Sequence, residues 1–235
     1  MTGERMGYFT VVPSVPPGDA AANALIHAGD YVSLKNYNRC SVVLQIGDAA
    51  VTTRTIRIQQ ARNVAGVGAK ALNFEAVWRT GAKLYFDPTT RNALDFVVGE
   101  VVTGNGAGTA VIHEIHADHL VVHTWNGTAF VAGELITGAG GGTANLIAAG
   151  FFVDEDILCR EVQVAAANIF VAPAVANMTY VFEFAGADLD VSGGFDCLLA
   201  DISAVGAADD TARSVTYILS EPRYKNEPME TAIYD

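Results

Sequence analysis

Four of the five histidines, His113, His116, His119 and His123, fall within eleven residues, in the run HEIHADHLVVH. Imidazoles this close could hold a transition metal or answer to pH. On a helix, a spacing of three would gather ligands on one face. Val121-Val122 and the flanking alternation instead predict a β-hairpin turning at Ala117-Asp118. On strands, His113, His119 and His123 share parity while His116 faces away, so only part of the set converges. HEIH is not the HExxH of zinc proteases, because its second histidine comes one position too early for a shared helical face. An exposed histidine-bearing hairpin is expected, and no metal site.

Other groups with chemical potential fare similarly. Glu100 and Glu134 stand at equivalent positions of an internal repeat, and a pseudo-two-fold could pair them as acid and base. Carboxylates following glycine in a strand more simply face solvent. Asp188, Asp190 and Asp196, around Ser192-Gly193-Gly194, could approach calcium, but their spacing matches no calcium loop and reads as an aspartate-rich turn. Gly104-Asn105-Gly106-Ala107-Gly108 lacks the following helix and acidic residue of a dinucleotide fingerprint. Gly66-Val67-Gly68-Ala69-Lys70 lacks the spacing of a phosphate loop and the Ser or Thr after lysine. Cys40, Cys159 and Cys197 are widely spaced and sit beside apolar residues, so each reads as a small buried side chain in a reducing compartment. Trp78 and Trp125 could stack on sugar rings, although anchoring of a hairpin is the simpler role for Trp125. No set supplies nucleophile, base and stabiliser together. The expectation is a protein that is not an enzyme, with no catalytic, cofactor-binding or metal-binding residues and no cofactor.

The elements that would carry these groups are strands. Phe96–Ala110, FVVGEVVTGNGAGTA, returns as Phe130–Ala144, FVAGELITGAGGGTA, with ten of fifteen positions identical. Each copy reads as a hairpin: a strand with Gly-Glu at its centre (Phe96–Thr103, Phe130–Thr137), a glycine turn needing positive φ at several positions, then a second strand (Thr109–Ile115, Thr143–Ala148). Two hairpins stacked face to face would bury a shared core. Outside the repeat, Tyr8–Val12, Tyr31–Leu34, Ser41–Ile46, Thr53–Ile58, Leu72–Trp78, Leu84–Phe86, Cys159–Val164, Thr179–Phe184, Asp196–Ile202 and Ser214–Leu219 alternate or run apolar between turn residues. In Thr53–Ile58 the alternation puts Arg54, Ile56 and Ile58 on the buried side. Ala20–His27 and Ala204–Arg213 are short helix candidates.

The fold class is therefore all-β: an antiparallel sandwich or jelly-roll-like parent domain of residues 1–91 and 151–235, interrupted by a barrel-like module of two repeated hairpins at residues 92–150. Pro13–Ala24 and Glu221–Asp235 read as arms, either disordered or ordered on a neighbour's surface.

Composition narrows the partners. The chain has 235 residues, is 51% hydrophobic and only 17% charged, and carries a net charge of −12. Such acidity without a local basic run argues against direct nucleic-acid binding. No apolar run approaches the roughly eighteen residues of a membrane span, and the N-terminus lacks the features of a signal peptide. A cytoplasmically made protein without a membrane partner is expected.

Several phrases of the parent domain resemble the small structural proteins encoded beside the major capsid protein in tailed bacteriophages. They are Gly29-Asp30-Tyr31-Val32-Ser33-Leu34-Lys35-Asn36, Gly66–Phe74 (GVGAKALNF), Ala187-Asp188-Leu189-Asp190-Val191, Gly194-Phe195-Asp196-Cys197, and Tyr217-Ile218-Leu219-Ser220 with Pro222-Arg223-Tyr224. The resemblance, covering roughly residues 25–90 and 155–225, is to head decoration, or capsid cement, proteins. It implies a virion structural protein made in a bacterial cytoplasm and bound to the capsid exterior. There it would be a homotrimer whose parent domain contacts the major capsid protein, with the insert projecting and the arms lying along adjacent subunits. The FxxGExxTG repeat resembles a module found in phage virion proteins of several roles. A tail tube or baseplate protein is the alternative, and a carbohydrate-binding module a more distant one.

Overall fold

The computed structural model describes residues 9–18, 26–27, 30–47, 53–92, 94–125, 128, 130–173, 175, 177–204 and 213–223. Among them are sixteen strands: β1 (Phe9–Gly18), β2 (Ile26–His27), β3 (Val32–Ser33), β4 (Tyr37–Ile46), β5 (Arg54–Ala61), β6 (Lys70–Ala71), β7 (Phe74–Phe86), β8 (Val101–Gly104), β9 (Thr109–Ile115), β10 (His119–His123), β11 (Leu135–Gly138), β12 (Thr143–Ala167), β13 (Ile169–Ala172), β14 (Met178–Ala185), β15 (Cys197–Ala204) and β16 (Arg213–Pro222). Three single 3₁₀ turns complete the described structure, which contains no α-helix. The protein is all-β, as alternation, β-branched residues and glycine turns dictate.

Contacts divide the chain into two compact units, Met1–Val77 with Val162–Asp235 and Trp78–Glu161. In the first, one antiparallel sheet runs β1-β16-β4-β14-β7 and the other β13-β5-β15-β2, with β3 added to β15 and β6 to β5. Period-two patterning drives the packing. Val42, Leu44 and Ile46 of β4, Tyr180 and Phe182 of β14, and Val215, Tyr217 and Leu219 of β16 are all buried. So are Ile56 and Ile58 of β5 and Leu198, Ala200 and Ile202 of β15. Phe170 of β13 bridges to the larger sheet, its ring 5.5 Å from Tyr180 and 6.3 Å from Phe182. The Tyr217 hydroxyl accepts from the Ala200 N–H and donates to the Asp30 carbonyl, so this buried polar group is satisfied across the sandwich. Each large apolar side chain so buried contributes about 1.5–3 kcal/mol. In β5 the alternation holds, and Arg54, Ile56 and Ile58 are wholly inside.

In the second unit the order is β7-β10-β9-β8-β11-β12, and a further pairing of β12 with β7 returns the order to its start. The unit takes in more chain than the expected 92–150. The far half of β7 pairs with β10, from Tyr85↔His119 to Ala82↔Val122. Lys83 and Arg79 reach Asp154 and Glu161 of β12 at 2.7 and 2.9 Å. These contacts tie residues 78–91 and 151–161 to the repeat.

Three expectations change. Pro13–Gly18, the start of the expected N-terminal arm, belongs to β1 and pairs with β16 as far as Gly18↔Arg213. Its prolines are tolerated because, among the described residues, β1 is an edge strand, where missing N–H groups break no ladder on the outer side. Of the helix candidates, Ile26–His27, Ala204 and Arg213 lie in strands, and the rest fall outside the described residues. So do residues 224–235 of the C-terminal arm, whose first residues, Glu221 and Pro222, end β16.

Candidate functional site

The repeat is built around two glutamates. In each copy a tight turn precedes the strand: Glu100 N–H donates to the Val97 carbonyl and Glu134 N–H to that of Val131, with Gly99 and Gly133 at φ +87 and +77. The strands therefore start at Val101 and Leu135, later than the expected Phe96 and Phe130. The turn aims each carboxylate at the other copy. Glu100 accepts from its own Val97 N–H at 2.8 Å and from Gly140 N–H at 2.7 Å. Glu134 accepts from Val131 N–H at 2.8 Å and from Gly106 N–H at 2.9 Å. The two copies clamp one another's glycine turns.

Pairing between β8 and β11 shows the symmetry. Thr103 opposes Thr137, its own repeat equivalent, while Val102 opposes Gly138 and Gly104 opposes Ile136. A local two-fold thus passes between the threonines. The hairpins lie edge to edge in one sheet, not face to face, because antiparallel pairing of identical strands satisfies both edges at once. The glycines also have a different task from the expected one. Positive φ occurs at one position per turn, Ala107 (+69) and Gly141 (+90). Gly104 and Gly138 are needed for closeness: a Cβ on Gly104 would lie 2.5 Å from Glu134 Oε1, and one on Gly138 would collide with Glu100 Oε1. Neither glutamate is a free solvent-facing carboxylate, and each is held by backbone N–H groups rather than by its counterpart.

A second cluster is buried in the same unit. Arg79, 1% exposed, donates through Nη1 to Glu161 Oε2, and Thr124 Oγ1 donates to the same oxygen at 2.8 Å. His123 Nδ1 lies 2.6 Å from Thr124 Oγ1, and the Arg79 guanidinium stacks over Trp125 at 5.6 Å. Thr124 holds φ at +52, unusual for a β-branched residue and fixed here by these bonds. Burial pushes the His123 imidazole down to about 4, with Arg79 and His113 acting in the same direction and Glu161 opposing.

The histidines separate into two pairs. His116 and His119 flank the Ala117-Asp118 turn and stack at 4.3 Å, while His113 and His123 meet edge to face at 5.8 Å. His116 does not face away: its N–H bonds to the His119 carbonyl, and cross-strand pairing rather than sequence parity decides which rings meet. A bulge at His113, between Glu114↔Val121 and Ile112↔Val122, breaks the parity again. Only the tip of the hairpin is exposed, since His123 is buried. Among the described residues no three of His, Cys, Asp or Glu come together as a metal site.

In the first unit, loops from four parts of the chain meet. Lys70 Nζ reaches Asp190 Oδ2 at 2.5 Å and lies 4.0 Å from the centre of the Phe195 ring, which Arg62 also approaches at 5.2 Å. Lys70, then Ser192 and the Gly193 N–H, hold the Asp190 carboxyl at about 2, well below the usual range. Leu34 N–H bonds to the Asp196 carbonyl, and Gln60 Oε1 accepts from the Asp190 N–H. Arg223 donates to Asn38 Oδ1 and lies against Gly186, where a Cβ would fall 2.7 Å from Nη2. The three aspartates do not share a ligand position: Asp188 accepts from Ala185 N–H, Asp190 faces Lys70, and Asp196 accepts from Cys197 Sγ. The Gly66–Lys70 loop packs on this end, with Gly66 beneath the Tyr31 ring.

Leu34, Lys35, Gly186, Leu189, Val191, Phe195, Asp196 and Arg223 enclose a cavity of about 150 Å³ at this end. Its residues come from three separate segments, one expected as the end of a strand, one as an aspartate-rich turn and one as an arm, so nothing in the sequence joined them. The phrases Val32–Lys35, Ala187–Val191 and Gly194–Cys197 were the available signal. Trp125 is buried against Phe151 and so presents no sugar platform, while Trp78 is half-buried. Cys40, Cys159 and Cys197 are buried free thiols, pushed by burial up to about 12, 11 and 12.

Comparison with known protein families, with curated proteins and with solved structures finds no match to this chain.

Proposed function

We propose that the protein is a virion structural protein that decorates and stabilises a tailed-phage head, bound to the major capsid protein as a homotrimer. The observation that carries this is the apolar surface left at the sheet edges of the first unit. Its two sheets end, among the described residues, in β1 and β13. Phe9 and Val11 of β1 are 61% and 51% exposed, and Ile169 and Val171 of β13 44% and 58%. Edge strands that display apolar side chains are aggregation hazards unless a partner covers them. In a protein of low charge they suit one whose task is to remain bound.

The repeat unit fits the same role. Its pairing order, with β12 returning to β7, supports a barrel-like module whose two copies hold each other's turns through Glu100 and Glu134. It also turns Val97 and Val131, and Val101 and Leu135, outward at equivalent positions. Many modest contacts repeated over a shell give large total affinity. Negative-stain imaging and mass measurement of the purified protein test the assignment: compact trimers are expected, whereas stacked rings or tubes would move the protein to the tail.

A further inference from the structure

The cavity enclosed by Leu34, Leu189, Val191 and Phe195 is too small for a cofactor or drug-sized molecule, which needs roughly 300 Å³ or more. It has room for one apolar side chain. Its rim carries Lys35 and Arg223, and among the described residues neither cation meets a carboxylate: Arg223 is held by the neutral Asn38 amide, and the nearby Asp196 carboxylate receives Cys197 Sγ. In a chain of net charge −12, an apolar hole with a cationic rim calls for an apolar residue between acidic ones.

The chain itself contains that sequence. Glu227-Pro228-Met229-Glu230 places one flexible apolar side chain between two carboxylates, with a proline that favours extended backbone. We infer that this segment of one copy docks into the cavity of a second copy, with Met229 in the hole and Glu227 and Glu230 against Lys35 and Arg223. A neighbouring copy is the better donor. Met229 follows Arg223 by six residues, a span of up to about 20 Å when extended, long enough to reach a neighbouring copy. The inference rests on the self-association proposed above but not on binding to a shell.

Sedimentation of the full-length chain, without capsids, tests it. Lys35→Glu with Arg223→Glu, and separately Glu227→Lys with Glu230→Lys, should each weaken self-association roughly tenfold or more. An equimolar mixture of the two variants should regain part of it, because a mixed trimer restores two of its three contacts. The second pair lies beyond the last strand of the sandwich, so its effect stands even if the first pair disturbs folding. Met229→Ala should weaken association without altering its salt dependence. Unchanged association in the Glu227/Glu230 variant, absence of rescue in the mixture, or a monomeric parent protein would each overturn the inference. Shell binding, read separately, reports on the decoration role alone.

Discussion

Replacing Glu161 by alanine should destabilise the repeat unit by about 3–5 kcal/mol, the largest single effect expected in this chain. Arg79 is 1% exposed and lies 2.9 Å from the Glu161 carboxylate, which Thr124 also engages. Removing the acid takes this countercharge from a guanidinium that is almost wholly buried. Replacing Arg79 and Glu161 together by methionine should cost much less, because the buried charge goes with its partner. Chemical denaturation of the three proteins measures both. The cluster also responds to acid through His123. Its folded pKa, about 4, lies below the ordinary 6.5, so folding favours the neutral ring. The resulting stability is fully present above pH 6.5, declines as pH falls through that window, and is gone below about 4. The difference in unfolding free energy between the parent and His123→Leu should therefore fall by roughly 3 kcal/mol between pH 7.5 and 4. A difference flat with pH would show that the ring is not held neutral.

Breaking the glutamate clamp is the second large effect. Glu100→Ala removes two charge-assisted bonds, to the Val97 and Gly140 N–H groups, and should cost about 2–4 kcal/mol. Gly138→Ala should cost a similar amount for a different reason: its Cβ occupies the space of the same carboxylate and crowds the Phe96 ring at 3.0 Å. The two losses share a cause, so the double variant should be well short of additive, with a coupling of at least about 1 kcal/mol. Glu134→Ala and Gly104→Ala should behave alike. Full additivity in either cycle would show that the glycines do not exist to admit the glutamates.

Legibility in the sequence followed the range of the interaction. Strands such as β5 and β14 were plain because alternation is local and burial enforces it. The repeat was plain too, and its copies do form glycine-turned hairpins. What Glu100 and Glu134 do was not legible, since a residue that caps another hairpin's turn looks, in one dimension, like any carboxylate after glycine. The same holds for Trp125, which sits beside turn residues yet is buried by Phe151 and Arg79 from distant strands. The histidine pairing failed for a sharper reason: parity counted along the chain does not carry across the Ala117-Asp118 turn, where cross-strand pairing brings His116 against His119. The cavity at Leu34, Phe195 and Arg223 joins a strand end, a turn and the segment after β16, and only the folded chain brings them together.

The role itself turns on whether the folded protein binds a head shell. Purified protein, mixed with tailed-phage head shells assembled without it, should sediment with them to a fixed, saturable number of copies that is a multiple of three. The bound shells should then resist heat or dilution better than bare ones. Protein left in the supernatant at saturating concentrations, with shells no more resistant than before, would contradict the account.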